Sequence, residues 1–158
     1  MRNGPKLAGV LAALLLGACA TMSDPRFGWS LHQDGSGASL VYGEYDTDNI
    51  GYGLECRHEG GLRLSDRTAE EWTLGRDSLP TVMRVRAGGL SLDLPATAAP
   101  DHEGYALVTA DIDDPAAFLR ALRKGGTMRT ESHGGKGRAP VPARDMVTGF
   151  AAACGYAR

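Results

Sequence analysis

None of the side chains able to carry chemistry falls into a spacing that completes a reactive site. His32, His58, His102 and His133 lie far apart, and no pair has the helical or short-loop interval that zinc ligands need. In "DTDNIG", Asp46, Asp48 and Gly51 match three positions of a calcium loop, but Ile50 and Arg57 stand where an oxygen ligand and the bidentate glutamate belong. The stretch reads instead as a hairpin turn held by Asx hydrogen bonds. Ser132 adjoins His133, yet adjacency gives no nucleophile–base geometry without a strand–turn–helix elbow around the serine. Cys154 is expected near the C-terminal end of an apolar helix face, where a thiol's pKa rises rather than falls. No glycine pattern of a phosphate or dinucleotide loop occurs. The expectation is a protein with no catalytic residues, no metal and no cofactor. A periplasmic hydrolase is the enzymatic alternative.

One segment has an unusual charge pattern. "SHGGKGRAP", Ser132 to Pro140, sets Lys136 and Arg138 among three glycines with no acidic residue. It could present both cations to an acidic protein or an anionic sugar polymer. The plainer reading is a solvated connecting loop. Over the 158 residues the formal charge is −2 and the basic residues are scattered. That sign argues against nucleic acid as a partner, and against adhesion to anionic lipid by charge.

The amino-terminal residues locate the chain. Arg2 and Lys6 precede an uncharged run from Leu7 to Ala18. A run of this length suits a signal-peptide core of roughly 7–15 residues and falls short of the ~20 that span a bilayer. Leu16, Gly17, Ala18 and Cys19 resemble the lipobox of bacterial lipoproteins. The resemblance implies a diacylglyceryl group on the Cys19 sulfur, cleavage before Cys19 and a palmitate-type chain on the new amino terminus. Residues 1–18 would then be a lipoprotein signal peptide, 19–27 a short tether and 28–158 a single globular domain. With Ala20 rather than aspartate after the cysteine, the resemblance implies an outer-membrane address facing the periplasm, with Cys19 as the contact to the lipid bilayer. An ordinary secretory leader is the alternative, because Ala18-Cys19-Ala20 also fits a small-residue cleavage site. Removing the leader leaves fifteen basic and nineteen acidic residues, a side-chain charge of −4.

If Cys19 is lipidated, Cys56 and Cys154 remain. An even pair in an exported chain suggests a disulfide, with two buried free thiols as the alternative. The bridge would close a loop of about 100 residues, for which chain entropy gives a ceiling of roughly 4–5 kcal/mol.

These cysteines sit in recognisable elements. Alternating apolar residues mark strands in "GWSLHQ", "ASLVYGEY", "IGYGLECRH", "LRLS", "TVMRVRA", "LSLDLPA" and "YALVTADI", with glycine- or aspartate-rich turns between them. Ile50, Tyr52, Leu54 and Cys56 are expected on one strand face, and either Val82 or Met83 inward. "ATAAPDHEG" reads as a loop, and "TMRTES" as a further candidate strand. Asp66 to Leu79 could hold a helical turn or a long hairpin loop, with a strand near Trp72. Asp114-Pro115 is a helix start, followed by Phe118, Leu119 and Leu122 as its stripe and Gly125 as its stop. A second helix is expected from Pro142 to Cys154, with Met146, Phe150 and Cys154 sharing its buried side. Many short antiparallel strands with two late helices predict an α+β fold: a curved antiparallel sheet, sandwich-like or partly closed, covered by helices on one face or end.

Across the mature chain, Tyr42, Gly43, Thr47, Asp48, Cys56, Phe150 and Cys154 make the sequence similar to small envelope proteins of alphaproteobacteria. These have a Tyr-Gly…Thr-Asp strand and turn, a strand cysteine and a terminal helix ending in cysteine. The resemblance implies the disulfide and an envelope address, and no activity. The expected function is that of a membrane-anchored, non-catalytic envelope lipoprotein that binds a protein or envelope polymer. The alternative is an inhibitor or immunity protein against an envelope-attacking enzyme. "SGASLVY" departs from the element of one lysozyme-inhibitor family, having Leu40 where that family has tyrosine.

Overall fold

The computed structural model describes residues 26–35, 37–45, 47, 49–57, 60–67, 77–133 and 135–156. The leader with Cys19, and Asp46, Asp48, His58 and Trp72, lie outside them. The elements run β1 (Phe27–Asp34), β2 (Gly37–Glu44), β3 (Ile50–Cys56), β4 (Leu62–Asp66), β5 (Leu79–Ala87), β6 (Leu90–Pro100), β7 (Ala106–Ile112), α1 (Pro115–Leu122), β8 (Thr127–Ser132), β9 (Gly135–Pro140) and α2 (Arg144–Ala153). The strands form one antiparallel sheet in the order β1-β2-β3-β4-β7-β6-β5-β8-β9, curled into a half-barrel. This is the α+β class with a curved sheet that the strand and helix patterns predict.

Alternation along the strands decides which face is inside. Leu40, Tyr52, Leu54, Leu62, Leu64, Met83, Val85 and Val108 are fully buried on the concave face. Phe118, Leu119 and Leu122 of α1, with Val147, Phe150 and Ala151 of α2, complete one hydrophobic core. Helix α1 lies against β5, and α2 lies against β1, β2 and α1. Met83 turns inward while Val82 is 55 % exposed, which fixes the face of β5. Inside the curl, the Tyr52 hydroxyl of β3 meets the Thr130 hydroxyl of β8 at 3.0 Å. The two edge strands approach each other where Trp29 Nε1 of β1 donates to the Pro140 carbonyl of β9 at 2.6 Å.

The helix ends follow their chemistry. Asp114 caps α1 by accepting from the Ala117 amide at 2.9 Å, with Pro115 at the first helical position. Helix α2 stops in a Schellman arrangement: the Gly155 amide donates to Ala152, and the Tyr156 amide donates to Ala151. Gly155 takes a φ of 75° there, a left-handed conformation that glycine adopts without penalty. Cys154 is the C-cap, partly buried beside the stripe of Val147, Phe150 and Ala151. It is joined to Cys56 across a Cα separation of 5.6 Å. Two residues later the Tyr156 hydroxyl donates to the Gly60 carbonyl at 2.8 Å, so the chain end is fastened twice to the β3–β4 hairpin.

Three expectations from the sequence are corrected. Ile50 does not share the face of Tyr52, because the β2–β3 register shifts between Tyr42 and Gly43. The bulge takes up one residue, Gly51, and a one-residue slip changes the face, so Ile50 joins Val41 and Gly53 outside. "ATAAP" is not a loop but the second half of β6, paired with β7 from Ala96 to Pro100. Pro95 precedes the first of those pairs, so its missing amide interrupts none of them. "GKGRAP" is not a connecting loop either: it is β9, paired with β8 along its length.

Two consequences are measurable. Reducing Cys56–Cys154 should lower unfolding stability by about 2–5 kcal/mol in a denaturant titration, the usual cost of losing a native bridge from a small domain. At the β5–β6 turn, Gly88 and Gly89 have φ of 52° and 85°, and a Cβ on Gly88 would overlap the Ala121 carbonyl of α1. Gly88→Ala should cost roughly 2–4 kcal/mol from strain plus overlap. Gly89→Ala, with no atom within 4 Å of its Cβ, should cost clearly less.

Candidate functional site

The outer face of the sheet is polar, and most of its charge is matched in pairs. Asp111 accepts from both Arg57 and Arg63 at 3.0–3.2 Å. Partial burial pushes the Asp111 carboxyl up, but the hydrogen bonds and charges of Arg63 and Arg57 outweigh it and hold the group below the usual carboxylate range. Arg67 pairs with Asp101 at 3.0 Å, the carboxylate side chain being only 2 % exposed.

The exception lies over β5, β8 and β9. Directly opposed residues of antiparallel strands project from the same face, so each row across these strands can be read from the register. In one row Asp93 of β6 opposes Arg84, Arg84 opposes Glu131, and Glu131 opposes Lys136. Its signs alternate and its ends are bonded. Arg84 grips Asp93 with Nε at 2.7 Å and a terminal nitrogen at 3.2 Å, and Lys136 Nζ lies 3.6 Å from Glu131. The Arg84 hydrogen bond holds the Asp93 carboxyl below its ordinary value, and Asp93 in turn holds Arg84 above its own. In the adjacent row Ser91 opposes Arg86, Arg86 opposes Arg129, and Arg129 opposes Arg138. All three arginines are exposed and none forms an ion pair with a carboxylate of the described residues, although the charge of Arg86 reaches Asp93 and helps to hold its carboxyl down. Like charges directly opposed destabilise a sheet, so this row is maintained against the electrostatics of the fold. The long side chains wall a shallow basin of about 430 Å³, floored by Thr130 and Gly137.

Lys136 and Arg138, singled out in the sequence, thus stand on an edge strand two residues apart and on one face. Lys136 belongs to the matched row and Arg138 to the unmatched one. Sequence reasoning missed Arg86 and Arg129, which lie far from Arg138 in the chain. The sole local signal was the alternation of "MRVRA" and "TMRTES", which puts arginine opposite to a buried methionine or valine. Of the other candidates, His32 is exposed on β1 with Nε2 3.0 Å from the Ser30 hydroxyl, and His102 is exposed in the β6–β7 turn. A second groove, about 410 Å³, crosses β2, β3, β4 and β7 and is lined by Val41, Ile50 and Leu107 among polar residues.

The two rows should respond oppositely to loss of one charge. Arg129→Gln should leave stability unchanged or raise it by up to about 1 kcal/mol, the gain shrinking with added salt. Arg84→Gln should lower stability at neutral pH. Asp93 has a depressed folded-state pKa, so its contribution is present above the unfolded value of about 3.9 and is lost as pH falls through the folded one. The deficit of Arg84→Gln should therefore fade in strongly acidic solution. Denaturant midpoints across pH and salt test both statements.

No family model matches the chain, and no curated protein or solved structure is significantly similar to it, so the chemistry of this face stands on its own geometry.

Proposed function

We propose that the protein is a non-catalytic lipoprotein of the bacterial outer membrane, anchored through acylated Cys19 and facing the periplasm, that binds an anionic envelope polymer or an acidic protein. The observation that carries the binding half is the unmatched row of Arg86, Arg129 and Arg138 beside a row whose charges are satisfied. An acidic partner removes the repulsion within that row, so binding energy and fold stability act in the same direction. Charge protection of a sheet edge against strand pairing accounts for cations on β9. It does not account for Arg86 and Arg129, because β5 and β8 are interior strands. The anchoring half is supported by Leu16, Gly17, Ala18 and Cys19, and two acyl chains suffice for stable attachment.

Two substitutions test the halves separately. Cys19→Ser should abolish fatty-acid labelling and remove the protein from the outer-membrane fraction; labelling and fractionation unchanged would defeat the anchor. Replacing Arg86, Arg129 and Arg138 together by glutamine should abolish salt-sensitive retention on isolated cell-wall sacculi and outer-membrane fragments. Retention equal to the parent protein would defeat the binding face.

A further inference from the structure

We infer that the arginine row is a phosphate site, selecting a discrete phosphate-bearing ligand over a carboxylate-bearing one; this rests on the reading of the row as a binding face. Arg129 has an arginine directly opposed on each side, with Cβ atoms about 4.5–5.5 Å apart in such pairs. Two neighbouring guanidinium forks can therefore converge on one ligand group. A carboxylate has two oxygens and is satisfied by a single fork. A terminal phosphate has three acceptor oxygens and up to two negative charges, enough to accept from two forks at once. The row contains no lysine, whose ammonium is a point charge without the planar fork.

The neighbouring row sets the boundaries of the site. Displaced two residues along the strands, about 7 Å, a phosphate would meet the carboxylates of Asp93 and Glu131, already paired with Arg84 and Lys136 in a row without net charge, in place of three cations. An extended anionic surface such as a bilayer would press on those carboxylates as well, whereas a discrete group over Arg129 avoids them. The basin, about 430 Å³, falls within the ~300–1,000 Å³ of sites for small ligands. The ligand is thus a phosphorylated small molecule or the phosphate substituent of a glycan.

The test uses the full acylated protein in nonionic detergent at physiological salt, titrated calorimetrically with tripolyphosphate and, separately, with butane-1,2,3,4-tetracarboxylate, a carboxylate of comparable charge. Tripolyphosphate should bind at least about tenfold more tightly than the tetracarboxylate, the size expected of one additional charge-assisted contact. Arg129→Gln should weaken tripolyphosphate binding at least about tenfold. Arg129→Lys, which keeps the charge and loses the fork, should fail to restore it. Arg120→Gln removes the same charge from the exposed side of α1, outside the basin, and should change affinity by less than about twofold. Unfolding midpoints of each variant confirm that the sheet is intact. Equal affinity for the tetracarboxylate and tripolyphosphate would overturn phosphate selection, as would an equal loss in Arg120→Gln. Tighter binding to phosphatidylglycerol vesicles than to tripolyphosphate would overturn the discrete site. Any of these results leaves the acidic-partner reading standing if the triple glutamine variant still loses retention on envelopes.

Discussion

Directly opposed residues of an antiparallel sheet share a face, and this one stereochemical rule fixes both the inside and the outside of the protein. Once β5, β8 and β9 are in register, Val85, Thr130 and Gly137 turn toward the core, and Arg86, Arg129 and Arg138 turn away from it. A slip of one residue would bury four guanidinium groups, that of Arg84 included, and expose Met83, Met128 and Val85. The desolvation of those charges, several kcal/mol each even after relaxation, makes the register unambiguous. The same constraint that assembles the core therefore gathers the arginines into a line.

The curl of the sheet depends on contacts made far apart in sequence. Tyr52 and Thr130 meet hydroxyl to hydroxyl inside the half-barrel, where an unpaired polar group would cost about 1–3 kcal/mol. Trp29 and Pro140 draw the two edges together at one point without forming a ladder. The ring of Tyr42 makes tilted contacts with those of Trp29, Phe27 and Tyr52 at centroid separations of 5.4–6.3 Å. Helices α1 and α2 cover the concave apolar face, and the disulfide fixes the end of α2 to β3. In a domain of this size a covalent closure supplements a core that is small relative to its surface.

Charge is distributed with two different consequences on one sheet. Where Arg84 meets Asp93 and Lys136 meets Glu131, exposed ion pairs contribute little to stability, but they balance the charge of that row. The adjacent row retains its field. A protein of overall negative charge can thus present a short cationic line, because net charge describes the average surface and strand register decides the local one. The scattered basic residues of the sequence are gathered by the fold.

Much of the architecture is legible in the residues themselves. Period-two alternation marks most strands, Asp114-Pro115 opens α1, Gly88-Gly89 makes the β5–β6 turn, and Gly155 stops α2 within a residue of the expected place. These signals are local: a cap, a turn conformation or a stripe depends on side chains a few positions apart. β9 and the second half of β6 were hidden, because glycine, alanine and proline have low strand propensity and are held here by the ladders of β8 and β7. The face of Ile50 was hidden because a bulge is a property of two strands together. The arginine row was hidden for the same reason. Local residue types were enough for the class of fold, the caps, the turns and two cysteines suited to a bridge. Tertiary structure alone decided which strands are neighbours, and so brought Arg86, Arg129 and Arg138 to adjacent positions: strand pairing is a long-range choice made by burial of the whole apolar face, with no local signal to announce it.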